Sequence, residues 1–402
     1  MPTIIIVSSA TVSNQGVASG TEVWVENAGV TSFSFIASGG EEIVFSGGMA
    51  DESVISAGGS EIVSAGAITQ SAIADGGKEI VSSGGIALFA TVSAGGQEII
   101  YGGGDANGAV IYANANISIS SGGFASNVTI SGGGLEIVSD SGVADETHVL
   151  NGGVLAILSG GFASGVFVGS DGTLSITDGT IIGSIISNHA TLVVSSGTVV
   201  SDVSLSNGGE ETILAGGVAL NTLIFDGGME VISSGGVASI TEVFSGGEDT
   251  VLLGGLADFT QIDSGGEEAV SAGGITVSSL ISLGGEQLIF NSGLANATTI
   301  LDGGVQVLFS GGNAGACLLS SGAQLLISSG GVADGAVILS GAQATIFEGA
   351  VGSGIFVYSG GILGVSAGGF ALNTAISNGG EEILSSGGLP ATVLFPAGEM
   401  KS

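Results

Sequence analysis

The sequence predicts an all-β fold: a single-stranded, right-handed parallel β-solenoid (β-helix) of about twenty coils, each of 19 residues. Three observations predict it. A G-G-x-A motif recurs at a nearly constant step, each repeat holds two short β-favouring segments between Gly pairs, and one aliphatic column returns at a fixed place.

The motif sets the period. Its second Gly falls at Gly29, Gly48, Gly66, Gly85 and onward to Gly388. The step is 19 residues except for two steps of 18, Gly48 to Gly66 and Thr180 to Thr198. Two residues beyond the marker Ala recurs, as at Ala50, Ala87, Ala106, Ala219 and Ala238. The unit GGVALNTLIFDGG, followed by MEVISS and another Gly pair, shows the internal plan of two segments and two corners. The segments are rich in Val, Ile, Leu, Phe and Thr and are too short for helices. Gly at the corners permits sharp turns at positive φ. Stacked at about 4.8 Å per coil, twenty coils would make a rod of about 95 Å.

The core column stands four places after the second Gly pair: Val44, Val63, Val81, Ile100 and Ile119, continuing through Ile213, Ile232 and Val251 to Ile346. Parallel strands buried along one axis require such a stack. A β-propeller needs about 40 residues per four-stranded blade. Adjacent units here resemble each other more than alternate ones do, which favours the solenoid.

The organisation follows. Residues 1–28 lie off the motif register and are expected to form an N-terminal cap or an irregular first coil. Residues 29–388 are the solenoid repeats, irregular or bent near 171–206, where Gly pairs are lost. Residues 389–402, with Pro390 and Pro396, are expected to be a C-terminal cap or tail.

Charge restricts function. The 402 residues include 36 Asp and Glu but only two cations, Lys78 and Lys401, for a formal net charge of -34. Nucleic acid binding needs clustered cations, so it is excluded, and anionic membranes are disfavoured. No apolar run is long enough for a membrane-spanning helix, so no membrane insertion is expected. Cys317 is the one cysteine and permits no intrachain disulfide.

The acids form columns. Two places after the second Gly pair stand Glu42, Glu61, Glu79 and Glu98, then Glu211, Glu230, Asp249 and Glu268, continued by Gln287 and Gln306. Burying a row of charges would cost several kcal/mol each, so surface ladders are expected. These would keep an apolar rod soluble, or act as a self-association strip or weak Ca²⁺ strip. No other cofactor is expected, and no catalytic or metal-ligating set is assigned. Asp145, Glu146 and His148 sit together, but His148 occupies an ordinary repeat position and His189 carries no motif.

The units SGGVASITEVFSGGEDTVLLGGLA and SGGMADESVISAGGSEIVSAG resemble the AIDA-type repeat of self-associating autotransporter adhesins. The resemblance covers about residues 29–388. It implies a bacterial β-helical passenger that mediates adherence, cell–cell aggregation and biofilm formation. In some members repeat serines are heptosylated by a dedicated transferase. The serines before Gly pairs that match are Ser46, Ser83, Ser121, Ser159, Ser234, Ser310, Ser329 and Ser386.

The leading functional expectation is a non-enzymatic structural or adhesive protein, self-associating through its repetitive surface. Its expected partners are itself, as oligomer, aggregate or filament, and cell-surface or matrix polysaccharide. An end-to-end polymerising scaffold is the first alternative and a carbohydrate-active β-helix enzyme the second. The start, MPTIIIVSSATVS, has no basic segment before its apolar stretch, and the end carries no β-barrel pattern. The expected location is extracellular or on the bacterial cell surface, with the cytoplasm as the alternative.

Overall fold

The computed structural model describes residues 2–387 except Ser38, Ala57 and Ala272. The expected tail at 389–402, with Pro390 and Pro396, lies outside the described residues. Every regular element among those residues is a β-strand. The strands stack in parallel into a β-solenoid of about twenty turns spaced about 19 residues apart. The chain divides into two compact units, Met1–Ser201 and Asp202–Ser402.

Most coils contribute three strands, and those with an unbroken second segment, such as Ile68–Ile73, contribute two. In the second unit one set of three is Glu210–Ile213, Val218–Leu220 and Leu223–Ile224, after which Met229–Ile232 opens the next coil. Equivalent residues pair directly: Glu210 with Met229, Glu211 with Glu230, Thr212 with Val231 and Ile213 with Ile232. In the first unit the same pairing joins Gln97–Ile100 to Asn116–Ile119. The 18-residue steps keep the register, as at Ser60 with Lys78 and Thr173 with Thr191.

Successive side chains of a strand point to opposite faces, so the four-residue strand buries its second and fourth residues. The fourth is the aliphatic column, and Val44, Val63, Ile213, Ile232 and Ile346 are all fully enclosed. The repeated Ala is enclosed as well, as at Ala50 and Ala219. A third inward column closes the core from the two-residue strands: Val92, Ile111 and Ile130 in the first unit, Ile224, Ile262 and Ile300 in the second.

Two features differ from the simple two-segment plan. The second segment is broken by an outward kink at positive φ, such as Asn127 (φ 53°) or Asn221 (φ 58°), which splits it into three-residue and two-residue strands. The first residues also form a genuine coil: Thr3–Ser8 pairs along its length with Thr21–Glu26. Near the weakened motif, Thr173–Ile176, Thr180–Ser187 and Thr191–Val194 continue the parallel pairing of the first unit.

The Gly pair has two separate causes. At the corner before Leu256, Gly254 holds φ +71°, where a left-handed turn favours glycine. Gly255 instead faces the preceding coil, and a Cβ there would lie 2.4 Å from the Ile232 carbonyl oxygen. Gly255→Ala therefore should lower stability by about 2–3 kcal/mol, because backbone must move to admit one methyl group. Gly254→Asn should cost less, since Asn tolerates this φ. Urea denaturation of the two variants checks the order; equal losses would contradict the steric account.

Candidate functional site: carboxyl ladders and serine corners

The acid columns do not face solvent. Glu42, Glu61, Glu79 and Glu98 are fully buried in the first unit, and Glu211, Glu230, Asp249 and Glu268 are fully buried in the second. This corrects the expected surface strip, whether for solubility, cations or self-association. The reason is parity: the acid and the aliphatic column lie two residues apart on one strand and must share a face. In the Glu-Glu pairs the first member faces outward. Glu248, Glu267 and Glu286 form such an outward row, paired from coil to coil. Among the described residues no group of three or more His, Cys, Asp or Glu is arranged to hold a metal ion.

Each ladder is supported by a column of hydroxyls from the facing segment. Thr222 Oγ1 donates to Glu211 at 3.2 Å, Thr241 to Glu230 at 3.0 Å and Ser279 to Glu268 at 3.1 Å. In the first unit Ser71 Oγ donates to Glu61 at 2.5 Å and Thr69 to Glu79 at 2.6 Å. Glu136 is a further buried member, joined by Thr147 at 3.2 Å. The second unit continues in amides. Gln287 Nε2 donates to Glu268, Gln306 Nε2 donates to Gln287 Oε1 at 2.5 Å, and Cys317 Sγ donates to Gln306 Oε1 at 3.1 Å. Burial pushes the Cys317 thiol up to about 12, so it stays protonated as a donor.

The two columns change together. Where the ladder position is Ile117 or Leu155, the facing position is Val128 or Val166. Where it is Glu136, the facing position is Thr147. A buried hydroxyl is retained where a polar partner exists, which is the rule for interior polar groups. Glu98 and Asp249 depart from this pattern, since neither carboxyl oxygen of either has a partner.

Burial without a cation pushes these carboxyls toward their neutral acid form. Desolvation raises Glu79 to about 7 and Glu136 to about 8, in each case against one hydroxyl hydrogen bond that lowers it. Glu230 is raised to about 7 by the same desolvation. For Glu61, Glu98, Glu211 and Asp249 desolvation is again the largest cause, and neighbouring carboxyls of the ladder add to it. A protonated carboxyl both donates and accepts, so it can stand in a polar column that a carboxylate could not. The formal charge of -34 counts nine buried acids as ionised and overstates the charge of the folded protein below neutral pH.

The corner serines lie where the sequence suggested. Ser46, Ser83, Ser121, Ser159, Ser234, Ser310, Ser329 and Ser386 are all exposed. Each precedes the glycine that turns the chain, and the turn closes on the residue after it, as in Gly236 N to Ser233 O at 2.9 Å. At Ser83, Ser121 and Ser234 the serine itself is at positive φ. Ser310 and Ser329 lean over the next coil, their Oγ atoms 2.7 Å from where a Cβ would stand on Gly330 and Gly349. Ser159 donates to Asp178 of the next coil at 2.7 Å.

The His148 cluster does not assemble into a catalytic set. His148 is exposed, its Nδ1 lies 3.2 Å from the Glu146 carbonyl oxygen, and its ring meets Phe167 at 6.0 Å. Asp145 accepts from Ser164 at 2.6 Å.

These features define a parallel β-solenoid with polar ladders inside and serine-glycine corners outside. No family model matches the chain, and no curated protein matches it. Among solved structures it is similar to the TibC-catalysed hyper-glycosylated TibA55-350 fragment, at 30% identity and a TM-score of 0.62, covering 73% of this chain and 99% of that one. The chain belongs to the family of repeat β-solenoids that this fragment represents. The tailspike protein of E. coli bacteriophage HK620 is also similar, at 9% identity and a TM-score of 0.23 over 86% of this chain and 71% of that one. A likeness that low bears on neither mechanism nor partner. Among the described residues no helix is long and apolar enough to cross a membrane.

Proposed function

We propose that this chain is a non-enzymatic, surface-displayed adhesive β-solenoid that self-associates through its repeated exterior, with the corner serines as O-glycosyl acceptors. One observation carries the reading: the similar TibA fragment is hyper-glycosylated, and all eight matching serines here are exposed at repeated corners. The mechanism is avidity. Each coil presents outward side chains at the same positions, so weak contacts repeated along the repeats add up without a deep pocket. The buried ladders serve this role indirectly, by giving the interior polar cross-links.

Co-expression with TibC followed by intact mass measurement tests the acceptor role. The expected result is a series of sugar additions that loses one to three members in the Ser234→Ala, Ser310→Ala, Ser329→Ala variant. An unmodified mass would overturn it. Cells displaying the chain should clump and settle, and failure to clump would overturn the self-association.

A further inference from the structure

The kinks of the coils carry an unexplained choice of residue. Each is a single outward residue at positive φ, and most are Asn, Gly, Ser or another small or polar residue, for which this backbone is accessible. Four are large and apolar: Phe33 (φ 56°), Phe89 (φ 52°), Ile240 (φ 61°) and Phe259 (φ 59°). A bulky or β-branched residue in this conformation is strained, and such strain persists mainly where a site uses it. All four side chains are more than half exposed, so core packing does not account for them.

These four residues line two surface grooves, one in each unit. The first, about 370 Å³, runs between Phe33 and Phe89 with Glu52, Gln70 and Thr91 along it. It exists because one of the two coils between them lacks a kink, while the other keeps its kink at Glu52 (φ 54°). Ile68–Ile73 runs through unbroken, and its pairing with Met49–Ile55 shifts between Thr69 and Ser71. The missing residue leaves a notch in the row of kinks. The second groove, about 400 Å³, is lined by Ile240, Glu242, Phe259, Gln261 and Leu280. Both volumes lie in the range of small-ligand sites.

We propose that the two grooves are binding sites for neutral oligosaccharide. Each groove sets a Phe ring beside one carboxylate and one carboxamide, Glu52 with Gln70 and Glu242 with Gln261. A sugar ring offers an apolar C–H face to an aromatic side chain and hydroxyls to acceptors and donors at its edge. Charge selects the class. With 36 acids against two cations, and a carboxylate in each groove, sulfated or sialylated chains are repelled. In the first groove Phe33 and Phe89 stand three coils apart, about 14 Å, which suits a short chain of sugars. The proposal deepens the adhesive reading by naming what the exterior would adhere to, and it rests on that reading only for its biological role.

The test is the purified full chain on a printed array of neutral, sulfated and sialylated oligosaccharides. It is compared with the variant Phe33→Asn, Phe89→Asn, Ile240→Asn, Phe259→Asn. Asn is at home at this φ, so the variant should melt no lower than the parent. The expected result is binding to neutral members only, weakened at least tenfold in the variant. No neutral binding by the parent, a preference for sulfated or sialylated chains, or unchanged binding by the variant would each overturn the proposal. Clumping of displaying cells, scored in parallel, separates the two readings. Glycan binding without clumping would sink the self-association and leave the grooves standing. Clumping with no glycan binding would sink the grooves alone.

Discussion

Raising the pH from 5.5 to 9 at constant ionic strength should lower the melting temperature of this protein by about 10 °C or more. Folding raises the pKa of the ladder carboxyls above the ordinary value of 4.5, to about 7 for Glu79 and Glu230 and about 8 for Glu136. Stabilisation by the neutral ladder is therefore complete below about 4.5 and is lost as the pH climbs through 7 to 8. A carboxyl held at about 8 in the fold withdraws on the order of 5 kcal/mol when it ionises fully. Ladder members share their protons, so the losses do not simply add. Melting followed by circular dichroism at pH 5.5, 7 and 9 is the measurement, and a flat or rising profile would refute the neutral ladder.

Replacing the second unit's acids by amides should remove that unit's sensitivity. In Glu211→Gln, Glu230→Gln, Asp249→Asn, Glu268→Gln the column becomes a continuation of Gln287 and Gln306, which already occupy it. Amide columns pair from strand to strand along a parallel stack. The variant should match the parent at pH 5.5 and melt above it at pH 9 by about half of the parent's loss, since Glu79 and Glu136 of the first unit still ionise. A variant that falls with pH as steeply as the parent would show that other groups carry the effect. The Thr222, Thr241 and Ser279 hydroxyls keep a side-chain oxygen to donate to, so the substitution leaves their hydrogen bonds available.

Much of the coil was legible. The 19-residue step, the aliphatic column from Val44 to Ile346, the buried Ala and the exposed corner serines all stand where the repeat places them. The acid column was misread because the cost of burying charge was weighed against the strand's alternation and given priority. Glu42 and Val44 share one face, and that geometry admits no exception within a regular strand. The energetic objection holds only for carboxylates; a carboxylic acid beside a threonine is a neutral polar pair. The signal was present in the paired changes of Ile117 with Val128 and Glu136 with Thr147, eleven residues apart, but it is readable only once those two positions are known to face each other. The grooves were not legible at all. Phe33 and Phe89 sit 56 residues apart, and nothing local shows that one of the two coils between them lacks its kink.

The sequence by itself determined the solenoid, because backbone pairing between identical short strands depends only on a constant repeat length and on glycine at the corners. Tertiary structure alone decided what the polar columns are. Ionisation depends on the solvent and partners around a carboxyl, and these are set by the facing segment of the same coil and by the coils next to it. The same holds for the kink residues: Phe33, Phe89, Ile240 and Phe259 become groove walls only because stacking brings their neighbours in other coils alongside them.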